Sequence, residues 1–237
     1  MKKIWILTLL LVGITSVQAQ SPSPLKGRIT VQVPRAELRL SYEEFDKVFA
    51  GGMRVAQTDL NGRYMLPDDD KIYAVTLHRR DDAAGAPALA CFFILPGEQL
   101  EVLGLFQDAD TFDWRIKGSP VFEADYEYNK ESRKEELRAA TLHRQNQAGE
   151  WDELSPERQR QLNAELRLLE RGIKTRRCAY IREHPSSPLS AYYFTCQPFP
   201  IEEVVEYYSI LSPSLREGRY APMLNFICEM YQRILNS

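Results

Sequence analysis

The chain has 237 residues, of which 44% are hydrophobic and 11% are aromatic, a composition typical of folded domains and not of disordered chains. Its formal net charge is −3, and the parts on either side of Gly118 each carry slightly more acids than bases. Nucleic acid and anionic membrane surfaces are therefore poor candidate partners, because both are bound by clustered positive charge.

Residues 1–19 have the pattern of a secretory signal peptide. Lys2 and Lys3 precede an apolar run at positions 4–14, and the small residue Ala19 fits a cleavage site that would leave Gln20 first. Because spanning a bilayer takes about 20 apolar residues, an uncleaved anchor is the less favoured alternative. With no cysteine at the cleavage point, we expect a periplasmic or secreted protein without a lipid anchor and with no transmembrane segment in its mature chain.

Residues 20–118 show the period-two alternation of β-strands. Ile29 and Val31 alternate with polar residues, and Asn61-Gly62 is typical of a tight hairpin turn. Short strands separated by turns predict an N-terminal antiparallel β-sandwich. After the Asn-Gly turn, the predicted strands are 72–78, 88–95, 99–103 and 112–117.

The predicted strand 88–95 is apolar on both faces, and it contains Cys91. We expect this strand to lie centrally in its sheet and to be covered on both sides. Cys91 is then a small buried hydrophobic side chain, and the same is expected of Cys228, which lies in the apolar stripe of the last predicted helix.

After Gly118 the pattern becomes helical, so residues 119–237 are predicted to form a small C-terminal helical bundle. Three Ser-Pro pairs, beginning at Ser119, Ser155 and Ser187, each supply an N-cap and a proline in the first turn. The fold class predicted for the whole chain is α+β. The predicted helices run over about 120–145, 156–184, 188–196, 201–211 and 223–235.

Several segments together resemble one known module. They are similar to the domain of unknown function, and the helical linker after it, that precede the thioredoxin domain in envelope TlpA-like (AhpC/TSA family) thiol-disulfide oxidoreductases. The resemblance covers nearly the whole mature chain and implies an envelope protein. The segments that carry it are Gly27-Arg28-Ile29, Thr58-Asp59-Leu60-Asn61-Gly62-Arg63-Tyr64, Phe92-Phe93-Ile94-Leu95-Pro96-Gly97-Glu98, Ile116-Lys117-Gly118-Ser119 with the Tyr126-containing charged helix after it, and the stretches 180–193 and 208–216.

The catalytic activity of that family does not follow from the resemblance. In the family a thioredoxin domain with a Cys-x-x-Cys pair comes next, whereas this sequence ends at Ser237, near where that domain would begin, and contains no such pair. The lowered thiol pKa of the pair supports disulfide exchange. No catalytic residue of the family corresponds to a residue of this chain, and we expect an accessory part that stands alone.

Four cysteines in an exported chain raise the question of disulfides. Cys178 and Cys196 lie at similar distances on either side of the turn at 185–188 and could be level in a helical hairpin, although Cys178 falls off the apolar stripe of its helix. Bridge formation requires a narrow range of Cα separations. The sequence leaves two alternatives open. Either Cys178 and Cys196 form a disulfide, or all four cysteines are free thiols.

The remaining motifs predict no site. His78, His143 and His184 share no short motif with a second ligand, so no metal, cofactor-binding or catalytic residue is assigned. Residues 59–62 lack the later ligands of a calcium loop and are explained as a turn. The acidic tip at 68–71 is expected to be a solvated hairpin end.

A basic stretch on the long predicted helix has two interpretations. Its cations could meet an anionic ligand, or they could form a solvated face mixed with the nearby acids, which is the favoured alternative. The cations are Arg171, Lys174, Arg176, Arg177 and Arg182, and the acids are Glu165, Glu170 and Glu183.

The leading functional hypothesis is a non-catalytic accessory or binding module of the envelope, whose partner is an envelope protein or a peptide. The alternative is a redox helper that acts in trans with a separate thioredoxin-like thiol-disulfide oxidoreductase, and it requires an accessible thiol of low pKa. A hydrolase built from distant loops is a third, weaker possibility. Fold alone does not choose among them.

Overall fold

The computed structural model of the chain describes residues 25–32, 38–47, 54–58, 64–67, 70–80, 82, 86–107 and 111–235. The predicted signal peptide, the Asn61-Gly62 turn and positions 68–69 of the acidic tip lie outside these residues. Strands come first and helices follow, so the fold is mixed α/β with the predicted order of elements.

The strands form two sheets. The five-stranded sheet has the order β4-β5-β1-β8-β9, and the four-stranded sheet has the order β3-β2-β6-β7, with these bounds: β1 (Leu25–Gln32), β2 (Leu38–Glu44), β3 (Arg54–Val55), β4 (Gln57–Thr58), β5 (Tyr64–Pro67), β6 (Tyr73–Arg79), β7 (Ala90–Ile94), β8 (Gln99–Phe106) and β9 (Phe112–Lys117). A short 3-10 helix, Phe45–Lys47, follows β2.

One strand pair departs from the antiparallel prediction. β1 pairs antiparallel with β5 but parallel with β8, where Ile29 lies opposite Leu100 and Val31 opposite Val102. The prediction is wrong here because parallel partners are joined by a long crossover, and alternating side chains do not reveal such a partner.

The position predicted for the strand at 88–95 is also wrong. β7 lies at the end of its sheet, next to β6, among the strands that the structure describes. Both of its faces are nevertheless covered near the middle, because Phe92 and Phe93 are each buried and both contact the Phe122 ring, at 6.1 and 6.0 Å between ring centroids. Phe122 belongs to the helix that follows the strands, so a helix, and not a neighbouring strand, explains the apolar pattern.

The aliphatic part of the buried core lies on one side of each sheet. The Phe92 ring of β7 lies 6.1 Å from the Trp114 ring of β9, and the Tyr64 hydroxyl donates a hydrogen bond of 2.7 Å to the carbonyl of Leu38. These contacts join the two sheets. Fully buried aliphatic side chains of this core include Ile29, Leu40, Leu66, Val75, Leu77 and Val102.

Seven helices follow the strands among the described residues. They are α1 (Pro120–Tyr128), α2 (Arg133–Gln147), α3 (Pro156–Glu183), α4 (Pro188–Cys196), α5 (Ile201–Ile210), α6 (Pro213–Arg216) and α7 (Ala221–Leu235). Most of the predicted bounds agree to within two residues.

Two helical features differ from the predictions. The charged segment expected to run to about Gln145 is divided into α1 and α2, because Asn129 ends α1, and its side-chain amide donates a hydrogen bond of 2.9 Å to Asp125. The short helix α6 was not predicted.

The Ser-Pro pairs begin three helices as predicted, but their side chains differ in role. Ser155 and Ser187 accept backbone hydrogen bonds from Arg158 and Leu189, which is the capping contact expected of them. The hydroxyl of Ser119 makes no such contact. It bonds instead to Glu98 in the turn between β7 and β8.

The chain divides into two compact units, with the boundary between Leu169 and Glu170 inside α3. The change from strands to helices falls at Gly118, as the periodicity predicts, whereas the unit boundary falls later because α1 and α2 both contact β9. No described helix is both long and apolar enough to cross a membrane.

Candidate functional site

One side of the four-stranded sheet is lined by polar side chains, and we call it the polar face. Strand pairing places Arg39 opposite His78, and Ser41 opposite Thr76, which in turn lies opposite Cys91. Glu43 is the next residue of β2 on this side. The polar residues of this face are Arg39, Ser41, Glu43, Thr76, His78 and Cys91, and the apolar residues Val55, Ala74 and Phe93 share it.

Two hydroxyls at the centre of the polar face are buried and bonded to one another. Ser41 and Thr76 are 4% and 7% exposed, and their hydroxyl oxygens share a hydrogen bond of 2.7 Å. The alternation of β2 predicts polar residues on this side, but not their burial, which depends on what the register brings together.

Glu43 is the most unusual ionisable group of the polar face. It is 8% exposed, it lies opposite Ala74, and no described residue forms a hydrogen bond or ion pair with it. Burial raises the pKa of Glu43 from 4.5 to about 7. Its carboxyl group is therefore neutral in a large fraction of molecules near neutral pH.

The neighbouring carboxylate behaves in the opposite way. Glu44 points to the other side of β2, where Lys47 lies 2.6 Å and Lys71 2.8 Å from its oxygens. The hydrogen bond from Lys47 is the largest cause that lowers the pKa of Glu44, and the hydrogen bond from Lys71 is the next largest. Two adjacent acids thus prefer different charge states because only one has cationic partners.

The three histidines are not brought together. His78 lies on β6, where burial is the main cause that lowers its pKa and the nearby Arg39 adds to it, while Asp82 opposes the shift. His143 lies in α2, and the ring of His184, just after α3, lies 4.5 Å from that of Tyr180. No group of three or more His, Cys, Asp or Glu residues that could hold a metal occurs in the described part of the chain.

All four cysteines are free thiols, so the possible Cys178–Cys196 bridge is not formed. Cys178 is buried and hydrogen-bonded with the Tyr207 hydroxyl. The pKa of Tyr207 is raised mainly by its own burial and, to a smaller extent, by this hydrogen bond. Cys228 is half-buried, and burial followed by the charge of Glu229 raises its pKa to about 11.

The prediction that Cys91 is buried is wrong, because its side chain is exposed. β7 buries the flanking Ala90 and Phe92 on the opposite side, so the strand has a solvent-facing position at Cys91 that its apolar sequence does not reveal. Cys91 is the thiol most open to reagents among the four.

Two cations in the basic stretch of α3 form ion pairs with acids of α5, within the unit that begins at Glu170. The Lys174 ammonium lies 3.0 Å from Glu203, and the Arg182 guanidinium lies 3.5 Å from Glu206. The acids that pair with these two cations are therefore on α5, and not among Glu165, Glu170 and Glu183, which the sequence suggested would share a mixed face with them. The signal that was overlooked is the pair of acids three residues apart in α5.

Aromatic rings complete the surroundings of these cations. The guanidinium of Arg182 lies 4.8 Å from the Tyr207 ring centroid, that of Arg177 5.2 Å from the Tyr193 ring and the ammonium of Lys174 5.9 Å from the Phe199 ring. Such cation–π contacts are typical of structural packing as well as of ligand sites. The basic stretch is therefore largely part of the folded helical unit.

Comparison of the chain with protein-family models, with curated proteins and with solved structures finds no match. The resemblance to the accessory region of TlpA-like oxidoreductases accordingly stays a prediction. What the chain does must be argued from the polar face, the free thiols and the paired cations.

Proposed function

We propose that this chain is an exported, non-catalytic binding module of the bacterial envelope. The signal-peptide pattern of residues 1–19 supports export. In this proposal the two sheets form a β-sandwich, which the contact between Phe92 and Trp114 supports, and the later helices form a bundle, which the hydrogen bond from Phe199 N–H to the Tyr231 hydroxyl supports. The partner is an envelope protein or a peptide.

The observation that carries this proposal is the internal pairing of the basic stretch. Lys174 and Arg182 are bound to acids of the same unit, so they serve the fold and are poor candidates for an anion-binding site. Meanwhile large apolar side chains face solvent, among them Leu105, Leu168 and Val205 at 58%, 65% and 70% exposure. Apolar contact with another protein is the chemistry that such positions offer.

Site-directed photo-cross-linking in intact cells tests the proposal. A photo-reactive amino acid is introduced in place of Leu105, Leu168 or Val205, one position at a time, and the matched control carries it in place of the exposed Glu153. We expect a discrete adduct at one or more apolar positions and none at the control. If no apolar position gives an adduct and the purified mature chain is monomeric, the proposal is wrong.

The exposure of Cys91 favours a second candidate, a redox helper that acts in trans with a thioredoxin-like protein. In that role the Cys91 thiolate attacks a disulfide of the partner. The partner's S–S bond breaks, a mixed disulfide forms with Cys91, and the second partner sulfur leaves as a thiolate that takes up a proton. A dithiol of the partner can reverse the step.

Thiol titration of the native protein tests this second candidate. The wild-type chain, Cys91→Ser and Cys228→Ser are treated with a thiol reagent at pH 7 without denaturant. We expect fast labelling of the wild-type chain and none of Cys91→Ser. Cys228→Ser should be labelled as fast as the wild type, because the raised pKa of Cys228 keeps that thiol protonated and unreactive. If the native protein does not react, the helper has no nucleophile and this candidate is excluded.

A further inference from the structure

Arg216 is a cation that the helical unit leaves without an anion. It is the last residue of α6 and is half-buried, and its Nε–H is buried without an acceptor among the described residues. Glu217 is next in sequence but forms no ion pair with it in this part of the chain, and Glu206 of α5 is paired with Arg182. A partly buried guanidinium with unmet donors favours an arriving anion.

Two further groups lie beside this guanidinium. Its Cζ atom lies 5.6 Å from the ring centroid of Tyr208 in α5, and the Tyr208 hydroxyl donates a hydrogen bond of 3.0 Å to Oδ1 of Asn225 in α7. No described residue accepts a bond from the side-chain nitrogen of Asn225, which is exposed, so its N–H donors are available. Three helices thus bring a guanidinium, an aromatic ring and an amide together.

The size and charge of this group suit a carboxylate. Arg216 contacts the face of the Tyr208 ring and Asn225 its hydroxyl end, so the two donors are separated by about the length of one ring. A guanidinium donates two parallel hydrogen bonds to a carboxylate, and the amide can add a third. One cation with one neutral amide matches a single negative charge better than it matches a phosphate, whose sites gather more donors.

An exposed apolar side chain next to the ring narrows the source of the carboxylate. Val205 is 70% exposed and lies three residues before Tyr208, on the same side of α5. The last residue of a polypeptide carries its side chain on the carbon next to the carboxylate, so an apolar side chain there can reach Val205. An aspartate or glutamate side chain has no apolar group beyond its own carboxylate.

We propose that Arg216, Tyr208 and Asn225 bind the carboxyl terminus of a partner polypeptide whose last residue is apolar, with that side chain resting on Val205. This inference rests on the proposed binding function, and it names the part of the partner that is recognised.

Titration of the mature chain with blocked tripeptides at millimolar concentration tests the site. The probes are acetyl-Gly-Gly-Leu with a free carboxyl group, the same peptide as its amide, and acetyl-Gly-Glu-Gly amide, whose carboxylate is on a side chain. We expect the NMR signals of Arg216 Nε–H and of the Asn225 side-chain amide to shift with the first peptide only. No shift with the first peptide, or an equal shift with either amide, overturns the proposal.

Two arginine variants show whether the response depends on position or on charge alone. Arg216→Gln is expected to weaken binding of the first peptide about tenfold, through loss of its charged hydrogen bonds. Arg233→Gln is the matched control, because Arg233 is in the same unit, is 82% exposed and lies about 12 Å along α7 from Asn225. Equal losses in both variants overturn the proposal. If Arg216→Gln does not fold, the free and amidated peptides decide on the wild-type chain.

Failure of this inference can be told apart from failure of the proposed function. The titration needs no cellular partner, and cross-linking at Val205 in cells needs no carboxylate. An adduct at Val205 that Arg216→Gln weakens supports the inference. An adduct that is equally strong with and without Arg216 overturns it, while the chain remains a binding module.

Discussion

The hydroxyl of Ser119 donates a hydrogen bond of 3.1 Å to Oε1 of Glu98, and so it joins the start of α1 to the turn between β7 and β8. The other carboxylate oxygen of Glu98 accepts a bond of 3.0 Å from the amide of Leu95. Ser119 is 1% exposed, so this link is buried on the helix side. One carboxylate thus fixes the shape of the turn and the place where the helices begin.

Ser119→Ala is expected to lower the free energy of unfolding by about 1 kcal/mol, the usual loss for a hydrogen bond whose partner stays partly exposed. Chemical denaturation of Ser119→Ala, Glu98→Ala and the double variant measures the coupling between the two residues. A coupling energy of zero would mean that the Ser119–Glu98 bond contributes nothing to stability.

Gly118→Ala is expected to destabilise the protein by about 1–3 kcal/mol. Gly118 has φ of +87°, and a Cβ atom there would collide with the backbone carbonyl oxygen of Gln99, which cannot move without disturbing β8. Gly97→Ala is the matched control, because Gly97 also has a positive φ, +78°, but a Cβ there meets nothing within 4 Å. Thermal unfolding should show the larger loss for Gly118→Ala, and equal losses would contradict the steric explanation.

Glu165→Gln is expected to cost no more than about 1 kcal/mol, because the pair it forms with Arg138 is largely exposed. Arg138 bonds to both carboxylate oxygens, at 2.7 and 3.1 Å, and these hydrogen bonds lower the pKa of Glu165. The contribution is fully present above pH 4.5 and is lost as the pH falls through the lowered pKa. The difference in unfolding free energy between wild type and variant should therefore shrink in acid and in high salt, and a difference that grows in acid would contradict this sign.

Lys174→Met tests whether the basic stretch is structural. We expect a small loss of stability, about 0.3–1 kcal/mol, since Lys174 loses Glu203 while the methionine retains apolar contact with Phe199. Glu203→Gln is the companion variant, and a double-variant cycle gives the coupling energy. Unchanged stability combined with loss of partner adducts in cells would instead assign Lys174 to a binding surface.

The outline of the fold was predictable because it rests on local signals. Alternation identified β1, the strand predicted at 72–78 corresponds to β6, and the Ser-Pro pairs located the starts of α3 and α4. Residues 88–95 show where such signals fail, because a strand at the end of a sheet that is covered by a helix has the same apolar pattern as a central strand. Because the sequence does not distinguish these two positions, the exposure of Cys91 could not be predicted either.

The polar face could not be predicted for a related reason. Thr76 lies 35 positions after Ser41, and Cys91 lies 15 positions after Thr76. Only the register of three strands places these residues in one row. The pairing of Arg182 with Glu206 likewise depends on how α5 packs on α3. Sequence patterns report which way a side chain points relative to its own strand or helix, and they do not report its neighbour across a sheet or between helices.

The parallel pairing of β1 with β8 has a consequence for how the molecule is made. A chain that emerges with its N-terminus first presents β1 long before residues 99–103 exist to complete that side of the strand. Contacts so distant in sequence form late, since the loop between them must first be closed. The five-stranded sheet therefore cannot be completed until β9 has appeared, when nearly half of the chain has been made.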